Sequence, residues 1–323
     1  MTDQQAAIAR HFADRFLHAI REKNAPVCVG LDPAIERLPK ALLAKHAVDP
    51  GDTHGSAAVA AIHEFCREVI DVVAPHVPAV KINIAFFERF YAEGVRAYSS
   101  IVKHARDAGL IVIGDVKRAD IGHSTAAYAD AQLSDARPGR LPDGAIPDAV
   151  TVNPYFGFDG IEPFVRIARE QGKGLFVLVQ TSNPSAGEVQ GVVLSDGTQM
   201  SDHVGSLVQR WASAAGLVGS SGYSAIGAVV SPRDLPSTKR LRTLMPNCLF
   251  LVPGFGAQGR TAGEVAECFK PDGTGAIVAA SRSVIYAYDG DAHKQAGASD
   301  WRCAVEAGCK EFVRAIRTVL SDR

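Results

Sequence analysis

The chain has 323 residues, of which 47% are hydrophobic and 21% are charged, and its formal net charge is -1. So small a net charge offers no broad electrostatic attraction to nucleic acid or to an acidic membrane surface, although it leaves room for a local basic pocket. No apolar run approaches the length of a membrane span. These features predict a cytoplasmic enzyme with a small-molecule substrate and with neither nucleic acid nor membrane as a partner.

The N-terminal segment predicts an amphipathic helix over residues about 3–23, in which Ile8, Phe12, Phe16 and Ile20 recur at a spacing of four. Acidic residues interrupt this segment, so it lacks the continuous apolar region of a secretory signal peptide. Beyond it, short β-rich apolar runs alternate with longer helical patterns. The predicted strands are Val27–Leu31, Ala79–Asn83, Leu110–Lys117, Ala149–Asn153, Leu175–Thr181, Ala225–Ser231, Leu249–Pro253 and Ala276–Ser281.

Repeated alternation of strand and helix implies parallel pairing with right-handed crossovers. Eight such units favour a closed (β/α)8 TIM barrel with loop insertions, as a single domain over residues 1–323, rather than an open sheet. An open nucleotide-binding sheet would place a GxGxxG turn after its first strand, whereas here that turn is Gly30–Pro33. The predicted helices include Ser56–Val73, Phe86–Ala108, Gly160–Gln171 and Val204–Ala215.

Three connecting segments are longer than the loops of a barrel without insertions: Leu38–Gly55, Leu133–Pro147 and Asn183–His203. They are rich in Gly, Pro, Ser and Asp, which is typical of loops. The last, over residues about 183–203, follows the fifth strand on the catalytic face and predicts a mobile cover over the site. The first two fit inert surface excursions equally well.

The six cysteines include no CxxC pair and no cysteine–histidine cluster at the spacing of a metal site. They indicate reduced thiols in a cytosolic protein, most of them packing residues. The cysteines are Cys28, Cys66, Cys248, Cys268, Cys303 and Cys309.

The most informative segment is Gly114–Ile121, which continues a predicted buried strand. Because side chains alternate along a strand, Asp115 and Lys117 are expected on one side and Val116 on the other. Asp120 follows just past the strand end. Charges concentrated at the tip of an apolar strand are costly to desolvate, which favours a reaction site over a stabilising device.

Polar residues also end most of the other predicted strands, where a barrel gathers its catalytic groups. Their joint placement is a much stronger signal than any one of them. They are Asp32, Lys81, Asn83, Asn153, Thr181–Asn183, Pro253–Gly259, Ser281 and Arg282.

The seventh and eighth strand ends predict a phosphate site. Barrels often bind phosphate there through backbone N–H groups. Glycines between Pro253 and Gly259 would allow close approach to an anion, and Gln258 can donate through its amide. Arg282 offers a bidentate fork to phosphate oxygens. The alternative is a glycine-rich turn beside a surface arginine.

Lys81, Asp115, Lys117 and Asp120 form a second predicted element, in which each charge keeps its neighbours ionised. A lysine held protonated cannot attack a carbonyl, but it can deliver a proton. Such an array suits collapse of a substrate to a carbanion that is then protonated. A structural ion-pair network at the barrel mouth is the alternative.

Together these segments resemble the orotidine 5'-phosphate decarboxylase family, in its longer bacterial form. The DxKxxD run is shared with sister barrels, whereas the PGxGAQG segment and Arg282 narrow the match. The matching segments are Val29–Pro33, Val80–Asn83, Asp115–Ile121, Thr181–Pro184, Val252–Arg260 and Ala280–Arg282.

The resemblance implies decarboxylation of orotidine 5'-phosphate to UMP and CO2, the last step of de novo pyrimidine synthesis, without a cofactor or metal. It makes Lys117 the proton donor to C6 of the pyrimidine and places Asp115 by the departing carboxylate. Lys81 and Asp32 would hold the ribose hydroxyls and the charge network.

For the rest of the substrate, the resemblance implies that Ser182 and Gln258 contact the pyrimidine and bridge toward the phosphate. Arg282 would bind the phosphate itself. The substrate-binding set also includes Pro253 and Gly259.

The resemblance further implies a homodimer, in which Asp120 and Ile121 reach into the partner's site. A hydroxyl four residues past that aspartate contacts ribose in the family. Either Ser124 or its neighbour Thr125 would fill that role here.

Three other functions remain as alternatives. A metal-dependent lyase or aldolase of the sister group, such as hexulose-6-phosphate synthase, would lose its activity to a chelator. A Schiff-base aldolase on Lys81 or Lys117 would be trapped by borohydride. A non-catalytic nucleotide-binding barrel would show no turnover.

Overall fold

The computed structural model describes residues 11–49, 51, 55–136, 144–255, 262–290 and 300–321. In them, eight parallel strands pair in chain order and close into a barrel, with the last strand returning to the first. The predicted fold class is confirmed, and every predicted strand end lies within one residue of the observed one. The strands are β1 (Val27–Leu31), β2 (Ala79–Asn83), β3 (Ile111–Arg118), β4 (Ala149–Val152), β5 (Gly174–Gln180), β6 (Ile226–Val230), β7 (Phe250–Val252) and β8 (Ala276–Ala280).

Helices surround the barrel, as the alternating pattern predicts. Three short 3-10 turns lie at Ile35–Arg37, Pro184–Ala186 and Ala287–Asp289 in the described ranges. The α-helices of the described ranges are α1 (Phe12–Lys23), α2 (Lys40–Lys45), α3 (Ser56–Val73), α4 (Ala85–Glu88), α5 (Tyr91–Asp107), α6 (Gly122–Leu133), α7 (Glu162–Gln171), α8 (Gly187–Gln190), α9 (Met200–Ala212), α10 (Leu235–Leu244), α11 (Ala262–Ala266), α12 (Arg282–Ile285) and α13 (Trp301–Ser321).

The prediction of one helix over Phe86–Ala108 is wrong, because the chain forms α4 and α5 with a tight corner between them. Tyr91 adopts a left-handed backbone with φ of 51°, which interrupts a right-handed helix. A Cβ on Gly94 would lie 1.9 Å from the carbonyl oxygen of Phe87. Only glycine therefore allows the two helices to approach so closely.

Two of the three segments predicted as long loops contain regular structure. The first carries α2, and the one after β5 carries a 3-10 turn and α8 before α9 begins at Met200. The Gln190 side chain ties this segment back to the end of β5, because its amide oxygen and nitrogen bond the Thr181 backbone N–H and hydroxyl at 2.9 and 2.7 Å. Residues 50, 52–54 and 137–143 of the predicted loops lie outside the described residues.

The N-terminal helix α1 packs against the start of β5. Phe12 and Phe16 contact Phe176 edge-on, with ring centroids 6.0 and 6.4 Å apart. Gly174 makes room for this packing, because a Cβ there would meet the Phe12 ring at 2.2 Å. The predicted residues 3–10 of this helix lie outside the described residues. Since α1 occupies the amino end of the strands, the opposite end remains for a site.

The strands are almost wholly apolar and buried, as expected for a parallel sheet covered on both faces. Trp211 and Trp301 are buried in α9 and α13, which confirms them as packing residues. All six cysteines are free thiols, and only Cys303 among them is exposed. No helix in the described ranges is both long enough and apolar enough to cross a membrane.

Candidate active site

A cavity of about 290 Å³ opens at the carboxyl ends of the strands. Its size suits a small molecule. All eight strands or the residues just after them contribute to its wall, so most of the predicted strand-end residues in the described ranges converge there. Asn153 and Asn183 do not line it. The polar side chains of the wall are Asp32, Lys81, Asn83, Asp115, Lys117, Thr151, Thr181, Ser182, Ser281 and Arg282.

Three charged side chains form one ion-paired set in this cavity. Lys81 Nζ lies 2.8 Å from Asp115 Oδ2, and Lys117 Nζ lies 2.6 Å from Asp115 Oδ1. Each carboxylate oxygen of Asp115 thus receives its own ammonium group. The expectation that Asp115 and Lys117 project to the same side of β3 is confirmed, with Val116 buried on the other side.

Burial and charge act in opposite directions on these groups. Burial raises the pKa of Asp115, but Lys81 and Lys117 outweigh it, so the pKa of this carboxyl lies well below its ordinary value. Burial likewise disfavours the charged form of Lys81, yet Asp32 and Asp115 hold the pKa of Lys81 above its ordinary value. Both groups are therefore ionised at neutral pH.

The two lysines differ in their access to the cavity. The Lys81 side chain is 13% exposed, whereas that of Lys117 is 49% exposed. Both lysines contact the carboxylate of Asp115. They differ in how deeply their side chains are buried, not in their ionic partner. A bound molecule would meet the ammonium of Lys117 at the open side.

The backbone at Lys117 departs from strand geometry. Its φ is 49°, in the left-handed region that non-glycine residues seldom adopt. The register between β3 and β4 shifts over the same stretch, between Gly114 and Arg118. Bulges of this kind re-aim side chains, and strained residues of this kind concentrate at functional sites.

Thr151 of β4 is a site residue that the sequence prediction lacks. It is 1% exposed, and its hydroxyl donates to Asp115 Oδ1 at 2.8 Å while accepting the Lys117 backbone N–H at 3.0 Å. The signal that could have identified it is a lone polar residue in an otherwise apolar strand, at an alternating position that faces the barrel interior.

Within one chain, Asp120 does not join the other three charges of the predicted set. In the described part of the chain it pairs with neither Lys81 nor Lys117; instead its Oδ1 accepts the backbone N–H of Ile121 at 2.8 Å. It follows the end of β3 in a turn that leads into α6, so its side chain leaves the direction set by the strand. Within one chain, Asp32 is the second carboxylate near Lys81, at 3.9 Å.

Two buried polar atoms of the cavity wall have no hydrogen-bond partner among the described residues. They are Asp32 Oδ1 and Ser281 Oγ. Buried polar atoms are normally paired, so unpaired ones in a cavity wall indicate where a ligand's polar groups could bind. The loop that carries Asp32 is held from outside the cavity, because the Tyr286 hydroxyl donates to its carbonyl oxygen at 2.9 Å.

The opposite wall carries most of the described residues predicted to bind the rest of the substrate. Ser182, Pro253 and Arg282 line the same cavity as the charged set. Arg282 is exposed and pairs with no carboxylate in the described ranges. Gln258 and Gly259 lie outside the described residues.

The two hydroxyl candidates of α6 have different surroundings. Thr125 is 1% exposed, and its hydroxyl donates to the Gly160 carbonyl oxygen at 2.7 Å. Ser124 is exposed. Neither they nor Ile121 line the cavity of this single chain.

A larger groove of about 760 Å³ lies outside the barrel, among residues of α3, α5 and the segment after α2. Among its charged side chains, His46 pairs with Glu64 at 2.7 Å. It takes nothing from the strand ends, so the strand-end cavity is the candidate active site. In the described residues, no three His, Cys, Asp or Glu side chains group as metal ligands would.

Comparison with known proteins identifies the family of this chain. The model of the family described as "Orotidine 5'-phosphate decarboxylase / HUMPS family" matches residues 25–296. The orotidine 5'-phosphate decarboxylase of Rhodopirellula baltica is 41% identical over 297 residues, covering 92% of this chain and 95% of the relative. The chain belongs to the orotidine 5'-phosphate decarboxylase family.

Other relatives support the same family assignment. The orotidine 5'-phosphate decarboxylase of Caldicellulosiruptor saccharolyticus is 36% identical over 312 residues, covering 96% of this chain and 99% of the relative. A crystal structure described as a putative orotidine 5'-phosphate decarboxylase from Streptomyces avermitilis superimposes with a TM-score of 0.75 at 33% identity, covering 97% of this chain and 96% of that one. As a member of the orotidine 5'-phosphate decarboxylase family, this chain is a carboxy-lyase of pyrimidine biosynthesis.

Proposed function

We propose that this enzyme converts orotidine 5'-phosphate to UMP and CO2 without a cofactor, with Lys117 as the proton donor to C6. The observation that carries the proposal is one buried carboxylate, Asp115, held between the ammonium groups of Lys81 and Lys117 at the mouth of the cavity. The reaction needs a fixed positive charge where a carbanion develops and a proton at the same point.

The proposed step begins with cleavage of the bond between C6 and the substrate carboxylate. The carboxylate departs as CO2 and leaves its electron pair on C6. The ammonium of Lys117 then transfers a proton to C6, and solvent reprotonates the lysine. Lys117 suits this role better than Lys81 because its side chain is the more exposed of the two.

Asp115 contributes in two ways. It pairs with the ammonium groups of both lysines, and it presents a negative charge near the substrate carboxylate. That repulsion is relieved as CO2 leaves, which favours the transition state over the bound substrate. Lys81 and Asp32 would hold the ribose hydroxyls. Asp32 Oδ1 accepts no hydrogen bond among the described residues, which supports this role.

The opposite wall of the cavity would bind the remainder of the substrate. Ser182 would contact the pyrimidine, and Arg282 would bind the phosphate through its guanidinium fork. The free position of Arg282 supports this assignment, since it pairs with no carboxylate in the described ranges. Gln258, with Pro253 and Gly259 on the same segment, would complete the contacts.

We further propose a homodimer in which Asp120 and Ile121 of one chain complete the site of the other. The support is an exposed apolar surface beside the cavity mouth, formed by loops and helices that follow β2, β3 and β4. Arg118 links two of these segments by pairing with Glu88. The aromatic and aliphatic side chains of this surface are Tyr91, Ile121, Tyr128, Tyr155, Phe156 and Phe158.

Exposure of this extent is unusual on a free protein surface. Tyr91 is 85% exposed, Tyr155 83% and Ile121 59%. Contiguous exposed apolar side chains of this kind mark interaction surfaces. In the dimer, Ser124 rather than Thr125 would supply the ribose contact, because the Thr125 hydroxyl is already occupied inside its own chain.

Heterodimers test whether Asp120 acts across the interface. Chains carrying Lys117→Ala and Asp120→Ala are each expected to be nearly inactive as homodimers. Co-expressed with different tags and purified as a heterodimer, they should regain about half of the wild-type activity, because one of the two sites then lacks both changes. The matched control pairs Lys117→Ala with Asp115→Asn, which leaves no intact site. Equal inactivity of both heterodimers would show that Asp120 does not act across the interface.

The decisive test of the proposed reaction is a spectroscopic assay of orotidine 5'-phosphate consumption with and without EDTA. We expect equal rates under both conditions. Loss of activity in EDTA that a divalent metal restores would favour the metal-dependent alternative. Absence of turnover both with and without EDTA would contradict the proposal.

We also infer a cytoplasmic location from the free cysteines, and cell fractionation would test it.

A further inference from the structure

We propose that Thr151 is a positioning residue that sets both the carboxylate of Asp115 and the backbone of Lys117. It would not touch the reacting atoms itself. The inference rests on the proposed function, because it concerns the same two charged residues. It adds a residue of β4 to a site otherwise assigned to the other strands.

The hydroxyl of Thr151 joins the two residues directly. A carboxylate oxygen only accepts hydrogen bonds and a backbone N–H only donates them. The single hydroxyl proton must therefore point to Asp115 Oδ1, 2.8 Å away, while the oxygen accepts from the Lys117 N–H at 3.0 Å. Because Thr151 is only 1% exposed, water has little access to replace either bond.

The hydrogen bond from the Lys117 N–H to Thr151 lies where the strand pairing of the sheet is interrupted. The register of β3 against β4 shifts between Gly114 and Arg118, and Lys117 has the left-handed φ of 49°. The Lys117 N–H therefore finds its partner in a side chain rather than in the strand ladder. This bond stabilises the backbone turn from which the Lys117 ammonium reaches the cavity.

The bond to Asp115 fixes the rotation of its carboxylate. Oδ1 receives both the Thr151 hydroxyl and the Lys117 ammonium, and Oδ2 receives the Lys81 ammonium. The hydroxyl comes from a rigid buried strand, whereas both lysine side chains are flexible. Thr151 therefore determines which oxygen faces which lysine, and it keeps the Lys117 ammonium on the exposed side.

The test is Thr151→Val, which keeps the shape of the side chain and removes its hydroxyl. We expect kcat to fall about 10- to 100-fold, the usual effect of an unsatisfied buried hydrogen-bonding group, with KM changed by less than about threefold. Thr151→Ser should restore kcat to within about threefold of wild type, because it restores the hydroxyl. Thr238→Val is the matched control, since Thr238 is also fully buried and hydrogen-bonded, but lies in α10.

Crystal structures of the variants provide a readout independent of turnover. In Thr151→Val we expect the Lys117 backbone to leave its left-handed conformation or its ammonium to move away from Asp115 Oδ1. If Thr151→Val does not fold, Thr151→Ala takes its place. Wild-type kcat in the folded variant, equal losses in Thr238→Val, or failure of serine to restore kcat would each overturn the inference.

The same experiment separates this inference from the proposed function. If wild-type protein does not consume orotidine 5'-phosphate, the proposed function fails, and the crystal structures then decide the role of Thr151. An unchanged Asp115 and Lys117 in Thr151→Val would overturn the positioning role in that case as well.

Discussion

The two sides of the cavity mouth differ in how their charges are satisfied. On the side of β2 and β3, Lys81, Asp115 and Lys117 pair at 2.6 to 2.8 Å. On the side of β7 and β8, Arg282 has no acidic partner in the described ranges and stands beside small residues such as Gly254 and Ser281. The charged groups on the first side pair with each other without a ligand, whereas Arg282 on the second side does not pair with a carboxylate in the described ranges.

This contrast separates two tasks. Charges already fixed in place stabilise a transition state without reorganising at the moment of reaction. A cation without a partner gains one when an anionic group of the substrate binds. We therefore assign chemistry to the first side and binding of the remote phosphate to the second, and three predictions test the division.

The largest effect is expected from Lys117→Ala. The change removes both the proposed proton donor and one of the two ammonium partners of Asp115, so kcat should fall by at least about 1,000-fold. The proposed dimer should persist, since Lys117 lines the cavity rather than the apolar surface. Steady-state kinetics and analytical ultracentrifugation measure the two outcomes.

Lys103→Ala is the matched control for that change. Lys103 is a partly exposed lysine of α5 that pairs with Asp107 at 2.8 Å, away from the cavity. Its loss should leave kcat unchanged. Activity of Lys117→Ala within tenfold of wild type would rule out the proton-donor role and remove the distinction between the two sides.

A smaller effect is expected from Arg282→Ala, which removes the proposed phosphate partner. We expect kcat/KM for orotidine 5'-phosphate to fall about 100-fold, as for loss of a charged pairing partner. The free energy of unfolding should change by less than about 0.5 kcal/mol, because the side chain is exposed. Kinetics and urea unfolding of the same preparation provide both values.

Orotidine, which lacks the phosphate, sharpens this prediction. If Arg282 acts only through the phosphate, wild type and Arg282→Ala should decarboxylate orotidine at equal low rates. An equal loss on both substrates would place Arg282 in the chemistry. Unchanged efficiency with orotidine 5'-phosphate would show that Arg282 is a surface arginine.

The fold could be predicted from the sequence because its signal is repeated. Eight apolar runs bounded by polar or turn residues place every strand end within one residue. The corner between α4 and α5 could not be predicted in this way. It depends on the left-handed backbone of Tyr91 and on the contact between Gly94 and Phe87, which are properties of packing rather than of periodicity.

The candidate site could be predicted where residues belong to a motif at a strand end, as Asp115 and Lys117 do. Thr151 has only the weak signal of a lone hydroxyl in a four-residue apolar strand, which belongs to no motif, and its contacts depend on the bulge opposite it. Spacing alone places Asp120 with the other three charges of a single chain. The chain turns out of β3 before it, so the alternation of side chains no longer applies.

The smallest effect concerns pH and stability. Lys81 and Lys117 hold the pKa of Asp115 below its ordinary value, against the effect of burial. The contribution of Asp115 to stability is therefore present above about pH 4 and is lost as the pH falls through its folded pKa. The Asp115→Asn variant lacks this contribution. The difference in unfolding free energy between wild type and Asp115→Asn should therefore shrink by about 1 kcal/mol when the pH is lowered from 6 to 3.

Arg282→Ala completes the comparison between the two sides. Since Arg282 pairs with no carboxylate in the described ranges, its difference from wild type should be the same at pH 6 and at pH 3. Urea unfolding of the three proteins at both values measures these differences, and other carboxylates cancel because all three proteins share them. A constant difference for Asp115→Asn would mean that Asp115 is not held ionised by its two lysines. The side of β2 and β3 would then be no more preorganised than the side to which we assign the phosphate.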